Sequence, residues 1–532
     1  MSRTNPSVEV SRDKIYRSGG FLFCLIILFL QAACSSGDRI PGFVYLRLNT
    51  NPTTLDPAHI VDVTGGLIAA KLFNGLIRLD DSLEICPDIA DKWQVLDSGR
   101  TYVFKLRRGV KFTNNREVTA HDIKYSFKRI LDPATRSPNT WVLDKISGAR
   151  AFMEGMANDI AGLEVVDDYT VKLHLDRPFS PFLYLLTTTA AYIVAEEEVV
   201  KKGAAFSYDP VGTGPFKLKT WGHGSSLVLA KNAGYFQGGA DAAGIVYRVI
   251  PEDLTALTEF ELGNLDVISL PASDYRKYRD SSQWKGLLSS SDGLNTYYLG
   301  FNCSRPPFDN AEIRRAVGYA VDRKRIFETF FEKRGRLAKG PVPDLIRKWG
   351  LQDAPVYDPG RAAKLIEAGG LKGRSVNFYI TADREVVDMA EIIQSYLKAA
   401  GLDVKIRQLE WSAYKAALNN GEADMFWLSW WADYPDPENF LFPLFHSSNH
   451  GAAGNRTRYT NARVDGLIEA GQREADAGRR NLYYMRAEKI ILEDSPWICF
   501  WHRNDFTLRQ PGLKNYKIYP VYSMDKGLEA SF

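Results

Sequence analysis

The densest chemistry in the chain lies at Trp430-Trp431-Ala432-Asp433-Tyr434-Pro435-Asp436-Pro437, with Trp427 three residues before Trp430. A carboxylate among indoles favours an ammonium group. The charge-assisted hydrogen bond supplies direction, and aromatic faces add a cation–π attraction of about 0.5–2 kcal/mol. Pro435 and Pro437 fix φ in the loop and reduce the entropy lost on ordering it. The pattern suits capture of an amine terminus by Asp433. It equally suits a turn at a strand end, with Asp433 capping backbone amides and the tryptophans packing as core.

Other chemistries find less support. Val211-Gly212-Thr213-Gly214-Pro215 has no following Gly-Lys-Ser/Thr, so it reads as a turn and not as a phosphate cradle. His446 and His450 are four apart but lack the helix and glutamate of a zinc hydrolase. Asp433, Asp436 and Glu438 lack the spacing and glycine of a calcium loop. No G-x-S-x-G elbow occurs. Paired carboxylates for glycoside hydrolysis, matched in space and not in sequence, stay open. The residues thus point to no catalytic group, no metal and no cofactor.

The elements that position Asp433 follow from periodicity. Val376–Ile380, Val404–Leu409 and Met425–Trp430 read as strands; Val386–Ala400 and Ala413–Leu418 read as helices, the first stopped by Gly401. This β-α-β-α-β succession predicts a parallel sheet with crossover helices. Ligands of such sheets bind just beyond the carboxyl ends of strands, which is where Asp433 falls. The earlier part differs. Phe43–Leu48 is a strand, and Pro57 to Gly75 holds a helix with Leu67, Ile68, Ala70 and Leu72 on its apolar face. Residues 101–112 alternate with period two. Thr119 caps a helix carrying Ile123, Phe127 and Ile130, and Val165–Leu175 is a hairpin turning at Asp167-Asp168. Up to about residue 200 the pattern is α+β with antiparallel strands.

The chain has 532 residues, enough for about three domains. Lys plus Arg is 67 and Asp plus Glu is 64, so nothing in the net charge of +3 asks for nucleic acid as a partner. Arg12, Lys14 and Arg17 precede the apolar run 21–30, which is too short to span a bilayer and has the layout of a secretory signal. It leads into Gln31-Ala32-Ala33-Cys34-Ser35. This resembles a bacterial lipoprotein leader, with Gln31 where that family prefers Leu. The resemblance implies cleavage before Cys34 and a lipid on its thiol. An ordinary signal peptide or a retained short anchor is the alternative. Cys86, Cys303 and Cys499 remain, widely spaced and odd in number, with no C-x-x-C pair.

A set of motifs carries a broader resemblance. These are Leu55-Asp56-Pro57, Leu72-Phe73-Asn74-Gly75-Leu76, Pro87-Asp88-Ile89-Ala90, the block 104–133 (FKLRRGVKFTNNREVTAHDIKYSFKRILDP), Gly212-Thr213-Gly214-Pro215-Phe216, 310–323 (NAEIRRAVGYAVDR) and Trp430 to Tyr434. In this order, over almost all of 41–532, the chain resembles the extracytoplasmic solute-binding proteins of ABC importers, of the oligopeptide-binding type. The resemblance implies an α/β fold of two lobes joined by a hinge, with an α+β subdomain inserted in lobe one. Lobe one would comprise 41–77, 200–296 and 500–532, the insert 78–199, and lobe two 297–499. Residues 1–33 would be the lipoprotein signal and 34–40 the tether.

It also implies function. Asp433 would pair with the α-amine of an oligopeptide, Trp430 would line the adjoining pocket, and Trp431, Tyr434 and Trp427 would complete the wall. The partners would be a peptide, the ABC permease, and the membrane through a lipid anchor, outside the cytoplasm in a periplasm or on the outer face of the cell membrane, with no catalysis. The chain departs from enteric oligopeptide receptors at Trp427, where they carry Arg, and at Asn139, where they carry Tyr. It departs from dipeptide receptors at Ile380 and Thr381, which stand near their carboxylate-binding Arg; Arg384 comes later. Capture of a peptide's carboxylate is therefore not implied. A nickel chelate, an opine or a sugar as solute, or an exported hydrolase, are the competing readings.

Overall fold

The computed structural model describes residues 39–351 and 356–532. Cys34, the leader and most of the tether lie outside the described residues.

The predicted run beyond residue 370 is present. Ser375–Thr381, Asp403–Leu409 and Met425–Trp431 are strands, with Arg384–Ala399 and Trp411–Asn420 as crossover helices. Strand 375–381 pairs in parallel with both of the others. Gly401 ends the first helix with φ +95°, a conformation that glycine adopts without strain. The sheet is larger than the parallel run. Asn295–Phe301 pairs antiparallel with Met425–Trp431, then Trp497–Arg503 and Gly335–Leu337 follow, giving six strands and a mixed sheet. Leu299 and Phe378 on one face pack with Met389 of helix Arg384–Ala399, and Phe426 on the other packs with Phe440 of helix Glu438–Phe445 and Tyr484 of helix Ala477–Asp494.

A second body is built on a four-stranded sheet in which Phe43–Leu48 pairs in parallel with Gly244–Val249, followed by Ser226–Lys231 and Phe216–Gly222. Beside it, Val267–Ser269, Asp505–Arg509 and Leu288–Ser291 form a three-stranded sheet. Between residues 90 and 174, an antiparallel sheet of Ala90–Leu96, Thr101–Leu106, Thr170–His174 and Leu163–Asp167 packs against helix Ala120–Leu131. That helix starts at Thr119 in a capping box with Asp122, as its sequence predicts.

The chain passes between the three-stranded and six-stranded sheets at 292–294 and again at Asn504. The crossings are cross-linked. The Asn295 amide donates to Arg503 O (2.9 Å) and accepts from Arg503 N (2.8 Å), and Asn504 donates to Asp292 (3.1 Å). Gly293 is required there, because a Cβ would lie 2.2 Å from Arg503 O.

Several of the motifs named above are frame. Asp56 is clasped by both guanidinium nitrogens of Arg129, at 2.7 Å for the first, and by His59 at 3.1 Å; these cations hold its carboxyl well below the usual range despite burial. Asn74 donates to Asp88 at 2.8 Å and to the Tyr235 hydroxyl at 3.0 Å. The Gly212–Pro215 turn braces the end of helix Val63–Leu72: Gly214 N donates to Leu72 O at 2.8 Å, and a Cβ on Gly212 would lie 2.1 Å from the same oxygen.

Candidate functional site

A cavity of about 650 Å³ lies between the bodies. Leu46, Tyr247 and Val267 form one wall, and Asn139, Trp141 and Thr188–Ala190 a second. Trp431–Asp433 form a third, and the C-terminal stretch Tyr516–Tyr522 closes the fourth. Helix Val63–Leu72 contributes its first turn. Its cap, Asp62, accepts from Gly65 N at 2.7 Å and from Thr53 at 2.6 Å. A glycine pair inside a helix is costly. Its use here is space: a Cβ on Gly66 would lie 2.4 Å from the Tyr522 ring.

Asp433 stands two residues beyond strand Met425–Trp431 and opens into the cavity. Its backbone N–H donates to the Asn439 side-chain oxygen (3.0 Å), and the Asn439 amide donates back to its carboxylate (3.3 Å). The Trp430 indole N–H reaches the same Asn439 oxygen at 3.4 Å. Asn439 is buried in the first turn of helix Glu438–Phe445, so one amide organises the whole turn. Among the described residues, no Lys, Arg or His lies within 4 Å of the Asp433 carboxylate. The side chain is accessible to solvent, yet protein surrounds its end of the cleft. Loss of hydration therefore raises its pKa, and only the neutral Asn439 amide opposes this. Such a carboxylate offers a cation a strong, directed partner in a weakly screened setting.

The expected residues do not all meet here. Trp431 lines the cavity beside Asp433 and is 45% exposed. Trp430 packs on the opposite sheet face among Leu428 and Ala432 and is absent from the cavity wall. Trp427 is core, buried with Phe500 and Trp501, and supplies no wall. Parity turns Trp430 away, since neighbours on a strand point to opposite faces; Trp427 shares the parity of Trp431 but lies four residues back, where the hydrophobic core covers the sheet. Tyr434 is buried too. Its hydroxyl donates to Glu438, and its ring stacks on Trp141 at 6.4 Å, joining the turn to the residue 90–174 region. Asp433 caps no backbone amide; Asp436 does, accepting from Glu438 N at 2.9 Å. Asn139 lies in the wall and donates to Ile60 O at 2.8 Å, which holds the neighbouring loop. His446 bonds Ser448 (2.7 Å) and His450 bonds Tyr459 O (3.1 Å) as loop histidines, and Cys86, Cys303 and Cys499 are free thiols.

Residues 84–452 match the family described as bacterial extracellular solute-binding proteins, family 5 middle. The chain belongs to this family. It is an extracytoplasmic solute receptor of the ABC-importer type and not an enzyme. The receptor is 30% identical over 510 residues to heme-binding protein A of Haemophilus influenzae, with 91% of each chain covered. It is 28% identical to the dipeptide-binding protein of Escherichia coli, with 92% of each covered. Its fold matches the DppA periplasmic binding protein of Helicobacter pylori, solved with the peptide STSA. That TM-score is 0.74 at 26% identity, covering 92% of this receptor and 97% of that chain.

Proposed function

We propose that this receptor captures oligopeptides through their free α-amine and delivers them to an ABC permease, anchored to the membrane by a lipid on Cys34. Asp433 carries the reading: a cavity-facing carboxylate, deep in a cleft, without a cationic partner within 4 Å among the described residues. Trp431 beside it offers an aromatic face to the same ammonium. Polar groups such as Ser269, Thr188 and Thr507 in the wall suit a peptide backbone and bridging water. The hinge of this reading lies at 292–294 and Asn504, and closure there would enclose the peptide.

Heme fits this cavity less well. Among its charged lining residues, those without a cationic partner are carboxylates, which repel propionates. The test is mass spectrometry of ligand released from receptor purified under native conditions from its own host. A ladder of short peptides is the expected result. A single non-peptide species would overturn the peptide reading and leave the family assignment intact.

A further inference from the structure

Six charged residues line the cavity: Arg47, Asp62, Asp433, Asp505, Lys517 and Asp525. Three are ion-paired: Arg47 with Asp253 at 2.7 Å, Lys517 with Asp81, and Asp525 with Lys71 at 2.8 Å. Asp62 has no cation within 4 Å among the described residues, but both its oxygens are engaged at the helix start, by Gly65 N at 2.7 Å and by the Thr53 hydroxyl at 2.6 Å. Asp433 is the first left over. Asp505 is the second. Its side chain is exposed to the cavity and, among the described residues, has neither a cation within 4 Å nor a hydrogen-bond donor. Arg503 is the cation nearest in sequence, and its charge partly offsets the burial that raises the Asp505 pKa. Arg503 itself turns to Glu385 at 3.6 Å, which Arg334 also holds.

The sheet fixes the relation between the two carboxylates. Trp431 is paired with Asn295, and the Asn295 side chain holds the backbone of Arg503 on the other side. Met425–Trp431 and Trp497–Arg503 both run antiparallel to the strand between them, so they leave the sheet at the same edge. Asp433 and Asp505 each stand two residues past that edge. Two strand spacings put their chains on the order of 10 Å apart. An extended peptide advances about 3.4 Å per residue. An α-amine on Asp433 therefore leaves a basic side chain from one of the first three residues within reach of Asp505.

Resting on the peptide reading above, we propose that Asp505 is a specificity-determining residue, selecting peptides with Lys or Arg among their first three positions. A second unpaired carboxylate in the same cleft favours a second cation and disfavours an acidic side chain there.

The experiment measures, by calorimetry, binding of tripeptides in which Lys or its uncharged isostere norleucine occupies position one, two or three of an otherwise all-alanine chain. Wild type and Asp505→Asn are compared. At one position at least, Lys should be preferred over norleucine by about tenfold or more in wild type, and Asp505→Asn should abolish the preference while tri-alanine affinity stays unchanged. An equal Lys/norleucine ratio in both proteins, with all peptides bound, overturns the role of Asp505 and leaves the peptide reading standing. Failure of wild type to bind any free-amine peptide overturns both. Asp505 makes no protein hydrogen bond through its side chain, so the substitution should leave the melting temperature unchanged; that is measured alongside.

Discussion

Replacing Asp433 with Asn removes one charge and little else. The Asn side chain keeps the shape and still accepts from the Asn439 amide, which donates to the native carboxylate at 3.3 Å. Opposite unit charges about 3 Å apart attract by roughly 5 kcal/mol at an effective dielectric constant of 20. Desolvation of both ions consumes part of that, so the net loss for a hydrogen-bonded pair in a cleft is about 2–4 kcal/mol. This corresponds to a loss of affinity of roughly 30- to 1000-fold. The assay is calorimetric binding of one peptide, with its α-amine free or acetylated, to wild type and to Asp433→Asn. Each change alone should cost the full amount. The two together should cost little more than either, because they break the same contact. Additive losses would mean that Asp433 and the amine act on different things, and the anchoring argument would be wrong. Acidification gives a second reading of the same pair. Burial raises the Asp433 pKa. Its protonated form cannot pair with an ammonium, so affinity should decline as pH falls through that raised value, beginning above the range of an ordinary aspartate.

Asn439→Ala removes the amide that holds both Asp433 and the Trp430 indole; affinity should drop about tenfold and stability by about 1–3 kcal/mol, read by calorimetry and urea unfolding. Glu438 is buried, with its pKa pushed up to about 7 by loss of hydration, while Tyr434 and Gln472 donate to it. Between its ordinary 4.5 and about 7 the folded state holds a proton that the unfolded state has lost, so stability falls as pH rises through that window. Glu438→Gln should therefore become more stable than wild type by up to roughly 3 kcal/mol at pH 8, at about 1.4 kcal/mol per pH unit, with the gain vanishing near pH 4.5; equal pH profiles would refute this. Cys34→Ser should shift the protein from the membrane to the soluble fraction, as read by fractionation and immunoblotting.

Local order was legible where periodicity is strong. The helix after Thr119, the hairpin of 163–174 (turning at Asp168-Tyr169, one residue later than expected) and the parallel run beyond residue 370 follow from spacing and capping chemistry alone. The three antiparallel strands that complete the large sheet were not: Asn295–Phe301 pairs with Trp497–Arg503 across about 200 residues, Gly335–Leu337 adds at the edge, and none carries a mark of its partner. Several of the motifs that carry the resemblance turned out to be frame, such as Asp56 with Arg129 and Asn74 with Asp88. Their strict chemistry reflects buried polar contacts that must be satisfied. At the site, Asp433 and Trp431 were legible from composition beside a strand end. The parity of the strand already separates Trp427 from Trp430, a signal that residue type alone obscured. Asn439 and Asp505 are single polar residues without a motif. Asn439 does stand out as a neutral amide after Glu438, at the start of a helix whose remaining residues are apolar, whereas Asp505 gains meaning only when three strands lie side by side.

The most direct test is a crystal structure of the receptor with the ligand it carries when purified from its host. A peptide should lie in the cavity with its α-amine about 3 Å from the Asp433 carboxylate and its first residues against Trp431. A ligand whose cationic end lies elsewhere, or one without an amine beside Asp433, would contradict it.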